Sequence, residues 1–220
     1  MKMKIIVASI LALAPAVALA GPSLGIGYTD VGIPGHAGRP GINIESGQEF
    51  RDGVVAWGGA TLARSFYAVS AHVGKAVPMG RGLSLVPYAG AGFVSLNEVQ
   101  QVTGSRAVTS TTPSMGFGRP VTYTYSVPYS LSVPTSRDDF YLGAGANLQW
   151  TLSPGVALVA GGDFGHTLGG IGGGGSVYGG HASLTAALSR QWSGNLRVSY
   201  LHLPGAQITE YGAGISYQFS

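Results

Sequence analysis

The sequence predicts an all-β protein: a single antiparallel up-and-down transmembrane barrel, with ten strands preferred and eight as the alternative. Three observations carry this. Charged residues make up only 10% of the 220 positions, against about 25% in soluble domains, so little charge is available to cover a water-facing surface. No uncharged apolar run of about 20 residues follows the first twenty positions, which excludes membrane-crossing helices. A closed barrel is then the architecture that satisfies every backbone group in hydrocarbon. The 37 glycines weaken helices but let strands bend and close around a narrow lumen.

The N-terminus sets the compartment. Lys2 and Lys4 precede an apolar run over residues 5–13, and Ala18-Leu19-Ala20 offers a cleavage site. This is a secretory signal peptide over residues 1–20, too short in its apolar part to span a bilayer. Residues 21–220 are then the barrel, long enough to fold without staples, and cysteine is absent. Without Lys2 and Lys4, ten Lys and Arg face nine Asp and Glu. The pI of 9.2 therefore reflects the leader, and no basic footprint for nucleic acid remains.

Wall strands need about 9–11 residues with one face apolar. Leu24, Ile26 and Tyr28 alternate with Gly25, Gly27 and Thr29, giving a first strand. Ile42 and Ile44 open a second, extended to residue 50. Asp52-Gly53 turns the chain into a third strand over 54–62, whose two faces differ little. The fourth, 66–76, sends Tyr67, Val69, Ala71 and Val73 outward and Ser70 and His72 inward. Met79-Gly80-Arg81-Gly82 is a turn, and 83–96 a fifth strand without a decisive face. Residues 140–150 alternate best: Phe140, Leu142, Ala144, Ala146, Leu148 and Trp150 on one side; Tyr141, Gly143, Gly145, Asn147 and Gln149 on the other. Strands over 156–165, 178–192, 196–203 and 208–219 complete ten. The short connections at 52–53, 79–82, 153–155 and 193–194 alternate with mostly longer ones, which places the short set in the periplasm. Trp57, Trp150 and Trp192 then gather near the periplasmic end, and Tyr28, Tyr67, Phe140, Tyr178 and Tyr211 near the outer end, as two aromatic belts.

The stretch "PVTYTYSVPYSLSVP" over 120–134 also alternates with period two. As a wall strand it would reverse every later strand, and restoring parity would need a second strand in 99–112, where alternation is weak. Pro128 interrupts its middle, and proline is tolerated mainly at sheet edges. It is therefore expected to be one arm of a hairpin in an extracellular loop over about 97–137, outside the wall. Tyr123, Tyr125 and Tyr129 share one face of that arm. They offer aromatic contact area and a free edge suited to binding by strand addition, or they pack on the other arm and cap the mouth.

The stretches "GINIESGQEF" with Asp52-Gly53, "FYAVSAHVGKAV", "LSLVPYAGAGFVS", "FYLGAGANLQWTLSPGVALVAGGDFG" and "YGAGISYQFS" resemble the OmpX/Ail/Lom family of small outer-membrane barrels, over about two thirds of the mature chain. The resemblance implies insertion in the outer membrane of a Gram-negative bacterium, and adhesion or host-surface binding. The chain departs from that pattern in an extra hairpin around 165–195, where those relatives have eight strands, and in Ser220 following Phe219 where they end on an aromatic.

Chemistry has few footholds. His181 and Ser183 face inward on one strand, with Glu210 at the outer start of the last. A His–Ser pair oriented by a carboxylate could activate a nucleophile, and the arrangement is similar to that of lipid A deacylases, although Leu184 stands where their Asn follows. A polar lumen lining accounts for the same residues. Five scattered histidines (His36, His72, His166, His181, His202) lack metal-ligand spacing, and Gly172–Gly175 lacks the Lys-Ser/Thr of a phosphate loop. Glu45, Glu49, Asp163 and Arg197 are expected to point inward as a salt-bridge and water network that plugs the lumen, with a selectivity lining as the rival. The expected protein is a non-enzymatic, monomeric, surface-exposed barrel without cofactor or metal. Its partners are outer-membrane lipid and lipopolysaccharide, and a host or cell-surface protein met through the loop. A narrow channel for small or apolar solutes and a lipid A hydrolase are the alternatives.

Overall fold

Period-two alternation of apolar and small side chains draws most of the described residues into strands. The computed structural model describes residues 22–34, 37–50, 52–112, 121–169 and 174–219; the leader expected over 1–20 lies outside them. The strands are β1 (Ser23–Gly32), β2 (Arg39–Glu49), β3 (Val54–Ala63), β4 (Phe66–Lys75), β5 (Val77–Gly80), β6 (Leu83–Thr112), β7 (Val121–Ser153), β8 (Val156–Gly169), β9 (Ser176–Ala187), β10 (Trp192–Leu203) and β11 (Ala206–Gln218). Hydrogen-bonded neighbours follow the order β4-β3-β2-β1-β11-β10-β9-β8-β7-β6-β5, consecutive in sequence except where β1 meets β11. A further antiparallel pairing of β4 with β6, Phe66 opposite Leu96 through Gly74 opposite Tyr88, closes the ring. Ten strands form the barrel, as the sequence predicts. The eleventh, β5, extends the β4 side of one hairpin against Leu83–Leu85, so Met79 and Gly80 belong to a strand and the turn narrows to Arg81-Gly82.

The faces follow the alternation. On β7, Phe140, Leu142, Ala144, Ala146, Leu148 and Trp150 are exposed, while the residues between them are withdrawn. On β1, Leu24, Ile26 and Tyr28 stand outward and Thr29 is fully buried. An apolar outer surface around a small and polar interior is what a membrane-spanning barrel requires. One end carries the outward aromatics Trp150, Trp192 and Phe219, with Tyr217 edge-on to both Trp192 (5.0 Å) and Phe219 (4.9 Å). We call this the termini end, since β1 begins and β11 finishes there. The opposite end carries Tyr28, Phe140, Tyr178 and Tyr211 outward.

Four expectations need correction. Trp57 turns into the lumen rather than the outer belt, because inward positions on β3 run Val55, Trp57, Gly59, Thr61. The strand expected to end at Trp192 stops at Ala187, and Trp192 opens β10; backbone bonds from Leu188 and Ser189 to the Trp192 carbonyl close the turn between them. Glu49 is exposed, and it is Gln48 beside it that is buried. Finally, ionic contacts are not what fills the lumen.

The filling is apolar. Val31, Ile33, Phe66, Val94, Leu96, Val177, Leu203 and Ile208 form one buried cluster, with Ala63, Ala68, Tyr141, Leu201 and Ala206 packed on it. These residues come from the ends of strands around the ring, all at the end opposite the termini, so they meet across the lumen. Burying each large side chain stabilises by roughly 1.5–3 kcal/mol relative to exposure in water. The result is an apolar plug at one end of the barrel.

Wall pairing of β7 with β8 begins at Phe140, and that of β6 with β4 ends at Leu96. Residues Asn97–Ser136, the remainder of β6 and β7 with their connection, form a separate compact unit. Within it Ser126, Pro128, Ser130 and Leu131 are exposed. The side chains of Tyr123, Tyr125 and Tyr129 lie outside the described residues.

Candidate functional site

Between the plug and the termini end the lumen opens into a cavity of about 480 Å³. Its roof is Phe66, Val94, Tyr141 and Leu201. Toward the termini end its walls become small and polar, with Ser23, Gly47, Thr185, Asn195 and Ser216.

One side of the wall is ionic. Alternation on β10 points Arg197 inward between β9 and β11, where it pairs with Glu45 of β2 and, at 3.5 Å, with Glu210 of β11. Thr61 donates to Glu210 at 3.2 Å. Asn43, turned so that its amide nitrogen donates to Glu45 at 2.9 Å, accepts from Arg197 at 3.0 Å. A guanidinium shared between two carboxylates and tied to a neutral amide is charge-paired, although the buried Arg197 Nε donates to no partner among the described residues. Part of the expected ionic lumen is therefore present, but it lines the wall and does not block the passage.

The other side is aromatic. The β3–β4 register sets Trp57 opposite His72, and their rings stack at 5.2 Å and 19°. Tyr88 of β6 meets both edge-on, at 5.1 Å and 5.4 Å. Facing glycines make room for these rings. A Cβ at Gly145 would lie 2.7 Å from the Tyr88 ring and hydroxyl, and one at Gly92 would collide with Tyr141. Each ring lies on bare backbone of the neighbouring strand.

The structure places the sequence-predicted site residues unequally. His181 and Ser183 both line the cavity, but no hydrogen bond joins them among the described residues. Glu210 is committed to Arg197 and Thr61, and the carboxylate near His181 is Asp163 of β8. The Ser–His–Glu grouping weighed as a catalytic alternative is therefore not assembled among the described residues. His72 and His181 line the same cavity, yet among the described residues no three His, Asp or Glu side chains converge as metal ligands do. The expected binding residues Tyr123, Tyr125 and Tyr129 have side chains outside the described residues. Sequence reading placed Tyr141 on the inner face of its strand but missed Trp57 and Tyr88 as lining; the available signal was a glycine directly across the strand pair from each, Gly47 opposite Trp57 and Gly74 opposite Tyr88.

No protein-family model matches the sequence, and no curated protein matches it. Among solved structures, the chain is similar to the KdgM porin (12% identity, 89% of this chain and 99% of that chain, TM-score 0.39). It is also similar to Ail, the attachment invasion locus protein of Yersinia pestis (16%, 91% and 100%, TM-score 0.39). A third is the outer membrane protease OmpT from Escherichia coli (11%, 91% and 96%, TM-score 0.46). The fold is that of a small outer-membrane barrel. That statement rests on the closed ring of ten strands and its apolar outer face.

Proposed function

We propose that the protein is a non-enzymatic barrel of the bacterial outer membrane, exported by its leader, that acts in attachment or envelope structure through the surface-exposed unit Asn97–Ser136. The supporting observation is strand length. A tilted strand crosses the hydrocarbon in about 9–11 residues, yet β6 runs for 30 and β7 for 33. The surplus is paired backbone that no wall requires. By alternation Tyr123, Tyr125 and Tyr129 share a face with Leu131, and Leu131 is 57% exposed. Tyrosines repeated at every second or fourth position of an extended strand suit capture of a protein surface, where aromatic side chains supply much of the contact energy. The plug removes support from a channel reading, because a conduit needs a wet path from end to end.

The test is substitution of all three tyrosines by serine, read as adherence of whole cells to a panel of host and bacterial surfaces. Attachment is expected to fall at least tenfold while the folded barrel, followed by its changed gel mobility on heating, is unaltered. Unchanged adherence at equal surface abundance sinks the proposal.

A further inference from the structure

Asp163 is the carboxylate of the cavity that the Arg197 network does not use. Glu45, Asp163 and Glu210 line the lumen with the single guanidinium of Arg197, and no lysine is among the lining residues. Arg197 is shared by Glu45 and Glu210. Asp163 makes none of the ion pairs among the described residues. Its electrostatic neighbours are Tyr88, Tyr141 and His181, and Tyr88 carries Trp57 and His72 against it. Gly179, opposite on β9, leaves the carboxylate space: a Cβ there would lie 2.9 Å from an Asp163 oxygen.

A surplus carboxylate among π-faces, in a cavity where Glu45, Asp163 and Glu210 outnumber Arg197 by two when His72 and His181 are neutral, disfavours anions. It also leaves a neutral polar ligand with nothing to compensate the charge. It matches an organic cation, held by charge on one side and by ring quadrupoles on the other. The volume is within the range of small-molecule sites. We propose that the lumen cavity binds a small alkylammonium between Asp163 and the rings of Trp57, Tyr88 and Tyr141, entered and left through the termini end because the plug closes the other.

The probe is choline against its uncharged isostere 3,3-dimethylbutan-1-ol, titrated calorimetrically into the folded protein in a maltoside detergent, since phosphocholine headgroups would compete. Choline is expected to bind at least tenfold more tightly than the alcohol. Asp163→Asn should weaken choline at least tenfold, and Glu49→Gln, an exposed carboxylate outside the lining, should leave it unchanged. Heat-dependent gel mobility confirms that each variant is folded. If Asp163→Asn does not fold, Tyr88→Leu takes its place with the same expectation. Equal binding of choline and alcohol, binding of neither, or an Asp163→Asn affinity equal to that of the parent overturns the proposal, leaving the lumen as a water-filled lining only.

Discussion

Gly145 lacks a side chain because Tyr88 occupies the place where one would be. A methyl there must displace both that ring and the backbone of β8 at the Gly162 carbonyl, and forcing extra volume into packed structure costs about 1–3 kcal/mol. Gly145→Ala is therefore expected to lower stability by that amount in urea titrations of folding into lipid vesicles. Combining it with Tyr88→Leu should cost less than the two changes added, since the colliding ring is gone. Arg197 supports a second prediction. Arg197→Gln leaves Glu45 and Glu210 facing each other without a cation, at about 1–3 kcal/mol, and adding Glu210→Gln should recover part of the loss in the same titration. At this scale the sequence was legible where polarity differs between faces: Glu45, Asp163 and Arg197 could be placed inward because their alternate neighbours are apolar. Trp57 could not, because Val54, Val55, Ala56 and Trp57 give β3 the same character on both sides.

Among the elements, the wall portion of β7 was fully readable, since its outward row from Phe140 to Trp150 is broken by no polar residue and its inward row by no aliphatic one. The reading has a direct check. Ala146→Arg or Leu148→Arg puts a charge against lipid and should impair insertion by roughly 2–4 kcal/mol near the midplane, whereas Gln149→Arg, facing the cavity, should be milder; equal damage at all three would mean the faces are misassigned. Strand β6 was harder. Its inward Val86, Tyr88 and Val94 are as apolar as its outward Leu85 and Phe93, because its far part contributes to the plug. For the unit Asn97–Ser136, removal of residues 111–134 should yield a barrel that inserts and retains its heat-dependent mobility, since wall pairing stops at Leu96 and resumes at Phe140. A deletion that fails to fold would make this segment part of the wall.

For the whole molecule, ring size and closure were legible from parity and turn spacing, but the plug was not. Its members Val31, Val177, Leu203 and Ile208 occupy inward positions with residues of the outward type, so alternation fades where the plug begins. The plug makes the barrel a closed vessel. Planar bilayers containing the protein should show no steady conductance, and replacing Val177, Leu203 and Ile208 together by serine should wet that end and produce discrete current steps. The same closed ring governs how the molecule comes to exist. Its seam sets Ser23 opposite Gln218 and Gly32 opposite Thr209, joining nearly the first and last strand residues of the chain. Contacts so distant in sequence form slowly, and until they form, β1 and the most recently added strand each present unpaired backbone to any passing chain. Assembly is thus a race between closing on itself and sticking to a neighbour, decided by whichever strand reaches β1 first. A chain lacking residues 206–219 has no strand with which to win it.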